Sequence, residues 1–184
     1  RRNVYVAVVN SRLYYNLEAL GIKYSEGASL DKVHMSLVRK MFGKLGHSRG
    51  EDEPGLPEGY IRRQLRLPFA YDELCLRRLR FFQGLARTLL KNGPQAVPEL
   101  AALLGTFDGP LRSKRSSSPF DGNGFLSRHA PPVLLVLQDN LRNINIEDIH
   151  ADGDWLRRLA AAPPSLFSSL RRHFIDKASI TLPL

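Results

Sequence analysis

The chain reads as a mainly α protein: one small helical bundle, or two helical lobes, with long Gly/Pro/Ser-rich loops between helices. Three observations lead there. Apolar residues recur at three- and four-residue steps in several windows, the spacing that lines one face of a helix. Glycine and proline fall where those windows start and stop. At 184 residues, 43% hydrophobic and 24% charged, the chain also has the length and composition of a globular protein.

Taken in order, residues 4–20 are dense in Val, Leu and Tyr, lack Gly and Pro, and are followed by Gly21; they read as a buried helix, with a strand over 4–9 left open. Ser29 can accept a backbone N–H as an N-cap. Leu30, Val33, Leu37, Val38, Met41 and Phe42 then form the clearest amphipathic stripe, ending at Gly43. Residues 46–59 combine Gly, Pro, Ser and acids without periodicity, the pattern of a flexible acidic linker. From Asp72 a second stripe runs through Cys75, Leu79, Phe82, Leu85, Ala86 and Leu89 to a stop at Asn92-Gly93. Pro98 opens a short helix over 99–104, and Gly105 closes it. A loop covers 108–130, with Arg112, Lys114 and Arg115 ahead of three serines. Pro131-Pro132 begins an apolar run to Leu141, Asp154 caps a helix carrying Trp155, Leu156 and Leu159, and a last helix is expected over 165–174. The resulting segments are 1–45, the linker 46–59, a basic helical segment 60–107, the loop 108–130 and a C-terminal helical segment 131–184.

The net charge of +9 is blocked along the chain, with nine Lys/Arg against three Asp/Glu in residues 1–50 and eight against two in 60–91. Such an excess favours anionic partners. In Arg62-Arg63-x-x-Arg66 and Arg77-Arg78-x-Arg80, interleaved with Tyr60, Tyr71, Phe81 and Phe82, charge and aromatics combine as on surfaces that track a nucleic-acid backbone. Phe82 itself is read as core.

Catalytic and metal chemistry find no support. Nucleophile-elbow, Walker and completed dinucleotide patterns are absent. His34, His47, His129, His150 and His173 are scattered singly, and the single cysteine, Cys75, falls on an apolar stripe. Asp121-Gly-Asn123-Gly124 begins like a calcium loop but has Phe125 where an oxygen ligand belongs, so it reads as a turn. No cofactor is expected, and no apolar run is long enough to span a membrane. One cysteine points to an intracellular, reducing compartment, with the nucleus a candidate if the partner is nucleic acid. The start at Arg1, without Met, reads as a piece of a longer polypeptide.

The order of Val8-Val9-Asn10-Ser11-Arg12-Leu13-Tyr14-Tyr15-Asn16-Leu17-Glu18, then Leu37-Val38-Arg39-Lys40-Met41-Phe42-Gly43, then Leu76-Arg77-Arg78-Leu79-Arg80-Phe81-Phe82-Gln83-Gly84-Leu85-Ala86-Arg87 resembles the region just after the polymerase core of LINE-type (non-LTR) retrotransposon reverse transcriptases. The resemblance covers residues 4–91. It implies thumb-like helices over 1–45 that grip a template–primer behind an upstream polymerase domain of the same polypeptide, with an RNA or DNA backbone as partner. Arg12, Arg39, Lys40, Arg77, Arg78, Arg80 and Arg87 are the phosphate contacts it implies, beside Arg62, Arg63 and Arg66 from the charge pattern. The family's Phe/Tyr-x-Asp-Asp motif and its downstream Cys-Cys-His-Cys knuckle are missing, and Gln83 departs from the family's helix. The chain is therefore expected to bind without catalysing, since two-metal phosphoryl transfer needs clustered carboxylates. The rival expectation is a helical protein–protein interaction module, with Trp155 and the apolar C-terminal run as contacts.

Overall fold

The computed structural model describes residues 13–42, 55–104 and 118–180. Expectations for residues 4–12, Arg12 among them, for 46–54 of the linker and for 108–117 of the loop lie outside the described residues. Within them the protein is mainly helical: α1 Gly27–Phe42, α2 Glu58–Leu65, α3 Ala70–Asn92, α4 Pro98–Leu103, α5 Pro132–Arg142, α6 Asp154–Ala161 and α7 Pro164–Ile180. The β pairing seen among the described residues is two isolated bridges, Phe120 with Leu126 and Phe125 with His150.

The chain packs as two compact units. Unit 1 takes the described parts of Arg1–Glu18, Lys23–Leu76 and Phe167–Leu184; unit 2 takes Ala19–Ile22 and Arg77–Leu166. The division falls inside α3 and again near the start of α7, because packing follows which apolar stripes meet, not the order of segments along the sequence.

Several element expectations need correction. The helix expected up to residue 20 breaks before then: Asn16 has φ 60 and Leu17–Ala19 is a single 3-10 turn. A left-handed residue cannot continue a right-handed helix, and Asn tolerates that region better than most. α1 starts at Gly27, not after a Ser29 cap; a 3-10 turn, Tyr24–Glu26, feeds it, with the Lys23 N–H donating to Glu26 Oε2 at 2.7 Å. α6 is entered through Gly153 as N-cap, with Asp154 its first residue. α7 runs on to Ile180, because nothing after Phe174 breaks it.

In unit 1, Met35 and Val38 of α1 cluster with Ile61, Leu65 and Leu67, and Leu56 packs against them. Above this cluster Arg62 is fully buried and ties three elements together. Its Nε donates to Glu58 Oε1 at 2.8 Å, its Nη1 to the Pro68 carbonyl at 2.9 Å and its Nη2 to Asp31 Oδ2 at 2.5 Å. The other Asp31 oxygen accepts the Ala70 N–H at 2.7 Å, satisfying an otherwise orphan donor at the start of α3. His34, one turn along α1, is buried edge-on to Tyr14, their ring centroids 6.0 Å apart. Burial chiefly, with the Arg62 charge adding and Glu73 opposing, lowers its pKa from 6.5 to about 4.

In unit 2, Leu134, Leu137 and Leu141 of α5 are fully buried, as is Leu159 of α6. Each such side chain contributes about 1.5–3 kcal/mol relative to exposure. Arg78 is fully buried too; it donates to Asn140 Oδ1 at 2.8 Å and to the Leu20 carbonyl at 3.0 Å. Gly21, expected as a helix stop, serves close approach instead: a Cβ there would lie 2.6 Å from Pro132 Cβ and 2.8 Å from Pro132 C. Gln83 Nε2 donates to the Leu159 and Ala162 carbonyls at 3.0 and 2.8 Å, and Arg87 Nε to the Ala160 carbonyl at 2.8 Å. Together they occupy the open carbonyl end of α6, where positive charge is favoured. Asp121 Oδ1 accepts the N–H groups of Asn123 and Phe125 at 2.9 and 3.0 Å, closing 121–125 as a turn. Phe82 is buried here and Cys75 in unit 1, as their place on the apolar stripe implied.

Candidate nucleic-acid interface

The structure sorts the basic residues singled out from the sequence by what their donors already do. Arg62 and Arg78 are corrections: both are fully buried and held by the intrachain acceptors above, so neither offers a guanidinium edge to a phosphate. The clusters are dense enough in arginine to look like surface, but an amphipathic helix turns every third or fourth residue inward, whatever its charge. Arg87 is exposed, yet its Nε and Nη2 point to the carbonyls of Ala160 in α6 and of Ala162 just after it. Arg39 is half-buried and donates to the Leu56 carbonyl at 3.0 Å, while Lys40 beside it is exposed in the last turn of α1. Arg63, Arg66 and Arg80 are exposed, and Arg77 is half-buried.

Of these, Arg66 is part of a built cleft. It follows the last residue of α2 in the left-handed region, φ 52 and ψ 55. Its N–H bonds the Arg63 carbonyl at 3.3 Å and the Leu67 N–H bonds the Arg62 carbonyl at 2.9 Å. This is a Schellman ending, with arginine at the position glycine usually fills. The buried Leu67 fixes the turn, and the Arg66 side chain is directed outward as an exposed group.

There it meets α7. Ser168, Arg171, Arg172 and Ile175 share one face of that helix by their three- and four-residue spacing. With Arg66 and Asp176 they line a cleft of about 450 Å³ within unit 1. Arg171 is anchored by Glu73 Oε2 at 2.7 Å; Glu73 itself is buried. Arg66 and Arg172 make no ion pair with a described residue, so with Asp176 as the remaining acid the cleft is net cationic. Two guanidinium forks and a hydroxyl facing one cleft suit a phosphate group, which accepts such forks bidentately.

Arg171 and Arg172 were not among the sequence candidates. A signal for them existed: Phe167, Leu170 and Phe174 mark the apolar face of the last helix, which places Arg172 off it. Their pairing with Arg66 had none, because about a hundred residues separate them and only tertiary packing brings them together.

Among the described residues no group of His, Cys, Asp and Glu is arranged to hold a metal ion, and no helix is long and apolar enough to cross a membrane. No family model matches the chain, and no curated protein or solved structure matches it.

Proposed function

We propose that this chain is a non-catalytic nucleic-acid-binding segment of a retroelement reverse-transcriptase-like protein that grips the template–primer backbone through arginine. The observation that carries the binding is the cationic cleft of Arg66, Arg171, Arg172 and Ser168. The net charge of +9 favours the approach of any polyanion to it, and the sequence resemblance supplies the retroelement context. Arg63, Arg80 and Lys40 remain as exposed cations outside the cleft. Contacts of this kind position a backbone and carry little sequence information. The rival interaction module loses one of its two expected contacts, since Trp155 is 2% exposed.

Titration of a primer–template duplex at several salt concentrations tests the reading. Each phosphate-binding cation removed should reduce the slope of log K against log salt by about one. The Arg66→Gln, Arg172→Gln double variant should therefore flatten it by about two. An unchanged slope with the variant folded would refute the cleft as the phosphate site.

A further inference from the structure

A second cleft of unit 1 has a different chemistry. It lies where the entry to α1 meets the start of α3 and has a volume of about 410 Å³, toward the lower end of the roughly 300–1,000 Å³ typical of ligand pockets. Tyr24, Phe69 and Tyr71 supply its aromatic walls, and Asp31, Asp72 and Lys177 its charged groups. Tyr24 and Tyr71 meet edge-to-face, centroids 5.2 Å apart at 88°. Gly27 permits this corner, since a Cβ there would stand 2.9 Å from Tyr71 Cβ. Tyr24 is 70% exposed, an unusual position for a ring held in an edge contact, and a broad face of it is left to solvent.

The charges select among ligands. Asp31 is already bonded to Arg62 and the Ala70 N–H, and Asp72 pairs with Lys177 at 3.4 Å. The Arg62 guanidinium carbon lies 4.7 Å from the centre of the Phe69 ring, so that π face already has its cation. The cleft also sits at the positive end of α1. A cationic ligand such as a quaternary ammonium therefore finds no net negative charge here. A neutral planar heterocycle finds a ring to stack on and, in Asp72 and Lys177, an acceptor and a donor for its edge.

We propose that this cleft takes an unpaired nucleobase, stacked on Tyr24 and held at its edge by the Asp72–Lys177 pair. The proposal rests on the nucleic-acid reading above and adds to it a preference for strand ends or single-stranded segments, because a base inside a duplex cannot reach a ring set in a cleft. Stacking on an aromatic side chain tolerates all four bases, so the site confers strand form rather than sequence preference.

The test uses a thymidine tract carrying a single 2-aminopurine, whose fluorescence falls when the base stacks on an aromatic ring. Binding to the full chain should quench it. Tyr24→Leu, at an exposed position that leaves the core untouched, should remove the quenching and weaken binding about tenfold, within the range for losing a stacked base, without altering the salt slope. Arg172→Gln should do the reverse, lowering the slope while the bound complex stays quenched. Binding without quenching, quenching that survives Tyr24→Leu, or release of the quenched base by millimolar choline overturns the pocket and leaves the backbone cleft standing. An oligonucleotide that does not bind at any salt concentration overturns the backbone reading, and the pocket falls with it.

Discussion

Unit 1 and unit 2 each bury an arginine completely, and the acceptors around them differ. Around Arg62 stand two carboxylates, Asp31 and Glu58, with side chains 19% and 32% exposed. Arg78 is instead bonded to an amide oxygen of Asn140 and to the Leu20 carbonyl. The bonds to Arg62 include ionisable partners that keep some water; those of Arg78 include dipoles fixed by the fold. The lesson is that arginine density alone does not mark a binding surface. In both units the most central arginine serves to organise backbone and helix ends, and the guanidiniums available to a ligand are peripheral ones.

The largest expected effect that probes this comparison is Arg62→Met. It leaves Asp31 and Glu58 without their shared cation and should cost about 3–5 kcal/mol, nearer the lower figure because both acids reach solvent. Arg78→Met should cost less, about 1–3 kcal/mol for acceptors left unsatisfied. Denaturant melts give the totals, and hydrogen exchange should show protection lost in α1 and α2 for the first variant and in α5 for the second. Equal costs would erase the distinction.

A second expectation concerns pH. An unfolded histidine takes up its proton near pH 6.5, whereas buried His34 does so only near pH 4. Between those values the unfolded chain binds more protons, so stability rises with pH across the interval and the effect is absent above it. Acidification through it should cost roughly 3 kcal/mol, by about 1.4 kcal/mol per pH unit of separation. Asp72 acts in the opposite sense. Burial raises its pKa, against the pull of Lys177, so the folded chain takes up that proton first and acid relieves a cost present at neutral pH. His34→Gln should flatten the measured fall in stability between pH 6.5 and 4; an unaltered curve would show that His34 is not its source.

The smallest effect has the opposite sign. Arg66→Gly removes the side-chain penalty of a left-handed residue and should stabilise the chain by about 1 kcal/mol, while weakening duplex binding and lowering the salt slope by about one. A variant that is both more stable and a weaker binder separates binding from folding at one position. Loss of stability instead would mean that the Arg66 side chain supports the fold.

How much of this was legible in sequence follows the length of each periodic pattern. α1, α3 and α5 carry apolar stripes over three turns or more, and they form within a few residues of their expected limits. α2 has few apolar positions, chiefly Ile61 and Leu65, follows an acidic stretch of sequence and ends on arginine rather than glycine, so neither its period nor its stop stands out. Residues 13–20 failed for the converse reason: their Leu and Tyr content suits a helix, but the turn at Asn16 is a tertiary choice. At the site, composition pointed to arginine and helix phase decided which arginines face out. The other arginines lining the Arg66 cleft lie in α7, and no local pattern records that.

The arginine that closes α2 has a genetic consequence. Arginine and glycine codons differ in several cases by a single nucleotide, so the substitution that would relax this turn arises readily by mutation. A lineage selected for stability alone would drift toward glycine here. Arginine kept across diverged descendants would mean that the cation, and not the fold, is what selection has been holding.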